Sequence, residues 1–448
     1  MSLLLLACSD SSEPVVHVDR PGSSIVFITL DTTRADALGA YGAEFGSSPH
    51  FDALSARGVR FDWCLSHVAS TLSAHGSMMT GLDPHQHGIP RNGFSLDEEH
   101  ATVAELLSAA GYDTIGVVSA SVIGSETGMA RGFRLFDDEL SMDKRKRFEA
   151  PGDEATDRAL ALVDQAAVDK PLFIWVHYYD AHSPYEPPED YVERLVTERM
   201  TRWGKPKRAM KNISDGIRDD RLTDADRRWF REMYQAEVAF ADAQMGRLLE
   251  GLQVRGVLDD ASIVVTADHG EAFFEDPMGP VGHGPEIDLP LTRVPLVVVP
   301  STGETGVVTD LVRVSDIGPT LLGLAGQDPV LGGGRDLGPA LGGGPVPLTT
   351  VYLEATKPAK KKLDDSWNNS HTEHGIARGE HLLVRSRGNR VDRLYLLDDA
   401  QTPTSHDGML EAMGRDLTAW EGTAPSYLET EMSSDVVDAL KALGYLEE

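Results

Sequence analysis

The chain has 448 residues, 41% of them hydrophobic and 25% charged, an ordinary globular composition on a length that buries a large core. Its net charge of −30 excludes a general affinity for nucleic acid or anionic membrane, so an anionic ligand would need a local positive centre such as a metal ion. Two cysteines, Cys8 and Cys64, exclude a disulfide framework or a zinc knuckle.

The first 22 residues read as a signal and tether. Leu5-Leu6-Ala7-Cys8 is similar to a bacterial lipoprotein processing box, which would make Cys8 a lipidated residue and the protein an envelope lipoprotein, periplasmic or at the surface. No basic residue precedes its leucines, and the apolar run Leu3–Leu6 is short. No later stretch approaches the ~18 apolar residues of a membrane span.

Ile25–Leu30 is a continuous apolar run and predicts a buried parallel strand ending at Asp31. Phe51–Arg57 and Thr102–Ala110 predict short helices stopped by glycine. Strands are expected at Asp113–Ser119, Leu172–His177, Ser262–Ala267 and Val294–Val299, and helices at Asp153–Ala167, Thr223–Arg255 and Asp316–Leu324. Such alternation implies an α/β fold, a large parallel or mixed sheet sandwiched by helices. After the glycine clusters at 332–334 and 342–344 the periodicity weakens. Strand segments at Thr349–Glu354, Gly375–Arg385 and Arg393–Leu397 and a helix at Ser434–Leu443 suggest a smaller C-terminal α+β subdomain. The expected division is 23–334 and 335–448.

Acidic and imidazole residues gather just past strand ends: Asp31 after the first, His177, Asp180 and His182 after the third, Asp268 and His269 after the fourth. In open α/β sheets that edge is where ligands bind. Asp and His with an oxygen nucleophile suit a divalent ion of the Zn or Mn kind. Ser70–Gly81 is rich in small and hydroxylated residues. A helix at Ser73–Met79 would put Thr71 at its mouth, where backbone N–H groups hold anions. A Ser or Thr there is, by itself, an ordinary N-cap.

Together these segments resemble the sulfatase family of the alkaline-phosphatase superfamily. The resemblance rests on Asp31-Thr-Thr-Arg34-Ala-Asp36, Asp52-Ala-Leu54, Ser77-Met-Met-Thr80-Gly81, His177-Tyr-Tyr-Asp180-Ala-His182, Asp268-His269-Gly270-Glu271 and Gly282-His283-Gly284. It implies a mixed sheet flanked by helices, a small C-terminal sheet subdomain, and hydrolysis of an anionic ester. It implies a metal set of Asp31, Thr71, Asp268 and His269, holding one or two ions, Zn or Mn rather than Ca. It also implies Thr71, His182 and His283 as catalytic groups. Substrate contacts would come from His182, His283, Arg34, His75, Asn92 and His177. For Arg34, pairing with a nearby carboxylate is the preferred reading over anchoring the anion.

The departures bear on chemistry. A sulfatase carries Cys or Ser with Pro two residues on and Arg four residues on, the signal for formylglycine, whereas this chain has Thr71, Ser73 and His75. Cys64 cannot substitute, since Ser66 and Val68 hold those positions after it. Thr71 instead resembles the nucleophile of phosphodiesterase and phosphoethanolamine-transferase relatives. The expected activity is hydrolysis of phosphate diesters, phosphonates or sulfate esters, of small molecules or polymers, through threonine. The alternatives are a genuine sulfatase, a phosphoethanolamine or phosphoglycerol transferase, and a silent anion-binding lipoprotein. The basic stretch Arg199–Lys211 reads as a solvated loop or an anion-attracting lid, and Lys360–Lys362 as a solvated run.

Overall fold

The structure, a computed structural model, describes residues 23–425 apart from 44–47, 141–148, 168, 198–221, 276–280, 356–372 and 387–390. The Cys8 segment, the basic stretch 199–211, Lys360–Lys362 and the helix expected at 434–443 lie outside the described residues. Among those described, no helix is long and apolar enough to cross a membrane.

The predicted runs form the centre of an eight-stranded sheet. Its strands are β1 (Ile25–Leu30), β2 (Val59–Leu65), β3 (Asp113–Val117), β4 (Leu135–Asp137), β5 (Leu172–Tyr178), β6 (Ser262–Thr266), β9 (Arg293–Val299) and β10 (Gly306–Arg313). They lie in the order β10-β2-β9-β6-β1-β5-β3-β4, and β9 alone runs antiparallel to its neighbours. Between β6 and β9, the short strands β7 (Ala272–Phe273) and β8 (Val281–Gly282) form a separate ribbon. The alternation of the pleat divides each central strand between two cores. Ile25, Phe27, Phe173 and Trp175 face one, with α2 (Thr71–Thr80), α3 (Val103–Ala109) and α6 (Ile317–Leu324). Val26, Ile28, Ile174 and Val176 face the other, with α1 (Pro49–Ala56), α4 (Gly152–Val163) and the long α5 (Asp224–Val254). This is the mixed α/β sandwich that the sequence implied.

The C-terminal subdomain is a five-stranded antiparallel meander: β11 (Thr350–Glu354), β12 (Glu373–Arg378), β13 (His381–Ser386), β14 (Val391–Leu396) and β15 (Asp399–Thr404). One face packs Ile376, Leu383 and Leu394 against Met413, Leu417 and Trp420 of α7 (Asp407–Glu421). The other packs Val351, Leu353 and Leu382 against Leu65, Ile287 and Leu311 of the main body. The single strand expected over 375–385 is a hairpin turning at Gly379–Glu380.

A polar seam joins the two sheets. His85 Nε2 and His374 Nε2 each donate to the Glu354 carboxylate at 3.2 Å, and His374 Nδ1 donates to Glu421 at 2.8 Å. The Glu354 backbone N–H donates to the His67 carbonyl, four residues before Thr71. Burial alone would raise the Glu354 carboxyl, but His374 and His85 outweigh it and hold it down at about 2. A depressed carboxyl stabilises above its ordinary value of 4.5, and that contribution is lost as pH falls toward 2. The shift corresponds to roughly 3 kcal/mol. Glu354→Gln should therefore lower Tm near neutral pH and flatten its fall between about pH 5 and pH 2. Parallel Tm curves for the two proteins would reject this account.

Candidate functional site

The carboxyl ends of three adjacent strands, β5, β1 and β6, converge on one buried point. Asp31 follows β1, and Asp268 and His269 follow β6. One ligand atom from each of these three lies within 4.8 Å of the others, and all three residues are fully buried. Helix α2 brings Thr71 to the same point as its first residue, with Ser70 as N-cap, so the helix starts two residues earlier than predicted. The Thr71 hydroxyl lies beside Asp31 and favours its ionised form.

Backbone placement here is strained. Thr32 holds φ at +50°, a conformation that a β-branched residue rarely adopts. In it the Thr32 N–H donates to Asp268 Oδ1 at 3.0 Å and its carbonyl accepts from Tyr234 at 2.9 Å. Asp268 Oδ1 also accepts the His269 N–H at 2.8 Å. These bonds aim Asp268 Oδ2 at the convergence point. The Gly270 carbonyl, 2.9 Å from His269 Nδ1, can only accept, so Nδ1 carries the proton and Nε2 presents its lone pair.

Asp31 Oδ1, Thr71 Oγ1, Asp268 Oδ2 and His269 Nε2 are buried and have no hydrogen-bond partner among the described residues. Buried polar atoms are rarely left so, and four at one place mark a binding position. Burial and the Asp268 charge push the Asp31 carboxyl well above its usual range. Burial would also raise Asp268, but His269, His75 and His177 outweigh it and lower that carboxyl. Two crowded carboxylates, an imidazole lone pair and a hydroxyl fit a divalent cation, which relieves their repulsion. Among the described residues this is the single cluster of its kind.

Other predicted residues are placed around this point. Asn92 Oδ1 accepts from the Leu72 N–H at 2.8 Å and from Ser70 Oγ at 3.2 Å, which turns its unpartnered Nδ2 away from them as a donor at the start of α2. His182 donates from Nδ1 to the Ser183 carbonyl at 2.7 Å and stacks on Tyr179, with centroids 4.4 Å apart. Its ring meets that of His283 edge-on at 5.0 Å, and His283 in turn lies 4.4 Å from the His269 ring. Burial, with help from His283, lowers His182 to about 3, so it is neutral at physiological pH.

Three residues expected to touch substrate are committed elsewhere. His75 donates from Nδ1 to the Thr71 carbonyl at 2.8 Å and accepts from the Thr29 hydroxyl at 3.1 Å, which itself accepts from Trp175. Both its nitrogens are used in holding the first turn of α2, and burial lowers it to about 4. His177 accepts from the Ser119 N–H at Nδ1 and donates from Nε2 to Asp31 Oδ2 at 3.1 Å, which turns Oδ1 toward the cluster. Arg34 pairs with Asp36 at 2.7 Å and Glu275 at 2.5 Å and donates to the Glu271 carbonyl at 3.0 Å, a structural clasp. Because a partner behind a ligand orients it, His177→Gln should weaken divalent-metal affinity by about 10- to 100-fold. Competition with a chelating dye would measure this, and an unchanged affinity would refute it.

Sequence reasoning did not single out Glu271 beside the cluster. Glu271 is fully buried and accepts from His283 Nδ1 and from the Tyr185 hydroxyl, each at 3.0 Å. The signal available was an acid two residues after a predicted ligand.

Comparison with known proteins agrees with this architecture. The family model described as Sulfatase matches residues 23–327. The chain is 26% identical over 351 residues to an ulvan-active sulfatase of Formosa agariphila, covering 72% of this chain and 66% of that protein, about two thirds of its length. Among solved structures, it superposes on the phosphonate monoester hydrolase of Agrobacterium radiobacter with a TM-score of 0.69 at 20% identity, over 92% of this chain and 98% of that one. A structure solved with D-glucosamine-2-N,6-O-disulfate as its substrate gives a TM-score of 0.70 at 16% identity, over 92% and 100%. These two likenesses establish the fold.

Proposed function

The chain belongs to the sulfatase family, ester hydrolases of the alkaline-phosphatase superfamily, and on that premise we propose that it hydrolyses phosphate diesters or phosphonate monoesters with Thr71 as nucleophile. The observation that carries this reading is the Thr71 hydroxyl, fully buried at the N-terminus of α2 beside Asp31, with no hydrogen-bond partner among the described residues.

Asp31, Asp268, His269 and Thr71 would hold a divalent ion, which when bound lowers the pKa of a hydroxyl and withdraws charge from ester oxygens. An imidazole among the donors favours Zn or Mn over Ca, which takes six to eight oxygens. The remaining chemistry belongs to the chain. Thr71 Oγ1 attacks the phosphorus in line, giving a phosphorylated threonine as the ester bond breaks. The start of α2 and Asn92 Nδ2 offer N–H donors to the equatorial oxygens. A histidine, His283 or His182, gives the leaving oxygen its proton. Water then releases the product from Thr71.

The solved relatives act on sulfated glucosamine and on phosphonate monoesters, and sulfate esters share the shape of both. Threonine in place of a formylglycine precursor favours phosphorus. The test is alcohol release by the purified protein, with zinc or manganese, from nitrophenyl sulfate, phosphate monoester, phosphodiester and phosphonate monoester. The diester or phosphonate should lead by orders of magnitude. A leading sulfate, lost in Thr71→Ala, would make the protein a threonine sulfatase and overturn the preference.

A further inference from the structure

We propose that Tyr234, on helix α5 and 202 residues from Thr32 in sequence, is a positioning residue for the metal ligands, and that it acts by holding Thr32 in the strained turn that sets Asp31 and Asp268 together. The inference rests on the metal set described above and holds whichever ester the site cleaves.

The placement begins in the backbone. β1 ends on Leu30, and the next three residues make a tight turn. The Asp31 N–H still donates to the Tyr178 carbonyl of β5 at 2.8 Å, and the Thr33 N–H folds back on the Leu30 carbonyl at 3.3 Å. Thr32 is the third residue of that turn, a place where a positive φ suits glycine or asparagine. At +50° a β-branched side chain is strained, and such a conformation persists only where its surroundings impose it. What the strain secures is the direction of the peptide groups. The Thr32 N–H reaches Asp268 Oδ1 at 3.0 Å, so the residue that follows one metal ligand holds the other. Relaxing Thr32 to a negative φ swings the peptide planes that flank it and breaks that bond.

Asp268 is one of the ligands being placed, so what holds the turn must come from outside the pair. The Tyr234 hydroxyl donates to the Thr32 carbonyl at 2.9 Å and accepts from the Arg34 N–H at 2.9 Å. Both roles are forced, since a carbonyl only accepts and a peptide N–H only donates. One oxygen thus bridges the two ends of the segment from 32 to 34. The phenol is fixed independently of the turn. It is buried in the core on the α5 side of the sheet, with the Phe273 ring 4.8 Å away and the Tyr185 ring edge-on at 5.7 Å. Arg34 is fixed as well, through its pairs with Asp36 and Glu275. The hydroxyl is therefore a rigid peg to which the turn is tied. Ligands that are already in place before an ion arrives lose less freedom on binding it, so the peg contributes to affinity without touching the ion.

The experiment is a double-variant cycle read by zinc affinity, measured by competition with a chelating dye, with manganese as a second probe. Tyr234→Phe removes one oxygen and keeps the ring packing. It should weaken zinc binding by at least about tenfold. Thr32→Gly accepts a positive φ without strain and should hold zinc within about threefold of the wild type. In that background the turn no longer needs the peg, so adding Tyr234→Phe should cost less than about threefold. A phenol that merely satisfies the core would lower Tm equally in both backgrounds and leave zinc affinity unchanged, and that pattern overturns the proposal. An equal loss of affinity in both backgrounds also overturns it, because strain at Thr32 would then play no part. So does a loss of the ion in Thr32→Gly alone, which would assign the effect to the Thr32 side chain. If Tyr234→Phe does not fold, the double variant carries the test: it should fold and bind zinc within about tenfold of the wild type, and its failure rejects the account. A wild-type chain that binds neither zinc nor manganese removes the metal set itself. A wild type that binds zinc, with Tyr234→Phe unchanged beside it, leaves that set standing and removes only the role of Tyr234.

Discussion

Thr71→Ala is expected to lower kcat/KM by about 10⁴-fold or more while leaving the fold intact, since loss of a nucleophile removes a step that nothing else in the site supplies. The structural argument is that this hydroxyl caps no helix and, among the described residues, makes no hydrogen bond that holds the fold. A buried threonine kept for packing or capping would have a partner for Oγ1, as Thr80 does in the Gly76 carbonyl and Thr156 in the Gly152 carbonyl. Thr71 Oγ1 has none among the described residues, and its N-cap neighbour Ser70 bonds to Asn92. Removing a buried, unsatisfied polar atom costs little and can stabilise. The Tm of the chelator-treated protein should thus be unchanged or slightly raised as activity disappears, the opposite of the correlation expected for a structural role. Thr71→Ser keeps the nucleophilic oxygen and should stay within about tenfold of the wild type. Isotope-free mass spectrometry of denatured, quenched protein should find the phosphoryl adduct on residue 71 in the wild type alone. Activity in Thr71→Ala within tenfold of the wild type would end this assignment.

What the sequence revealed follows from how each element meets solvent. β1, β5 and β6 are buried on both faces, so they read as unbroken apolar runs, and the polar residues closing them stood out as a site. β2 was invisible to that criterion because Arg60, Asp62 and Trp63 are only half-buried. β10 is an edge strand with Val307 more than half exposed and a register shift after Val308, so its apolar pattern is broken. α7 was missed because Gly408 and Gly414 interrupt its helical pattern, though Met413, Leu417 and Trp420 form its buried stripe. The grouping of Asp31, Asp268 and His269 could be read because these residues end adjacent strands. The roles of His75, His177 and Arg34 could not, because each depends on which atom stands opposite. Imidazole in a sequence looks the same whether it faces substrate or, as in His177, the back of Asp31. Glu271 lay in plain view two residues after His269, but its hydrogen bond to His283 depends on a ribbon pairing that brings His283 back from twelve residues away.

Metal removal should act on stability and activity together, and Asp31→Asn should separate them. Asp31 and Asp268 are both fully buried, with the Asp268 charge adding to burial in raising the Asp31 carboxyl. Without a cation, the pair costs stability through like charge in a medium of low dielectric. A divalent ion at 100 times its Kd adds about 2.7 kcal/mol to folding stability, which for a chain of this length is a rise of about 3 °C in Tm. A chelator should reverse that rise and bring ester hydrolysis to background, and zinc or manganese should restore both. Asp31→Asn keeps an acceptor for His177 Nε2 while deleting one of the two charges. The metal-free variant should melt roughly 1–3 °C above the metal-free wild type, gain little on adding metal, and lose at least about 10³-fold in kcat/KM. The sign is what discriminates. If the two carboxylates were part of a structural network already compensated within the chain, breaking it would lower Tm in the absence of metal. Chelator-treated wild type that melts above chelator-treated Asp31→Asn would therefore refute the metal centre, because its ligands would not be under mutual repulsion.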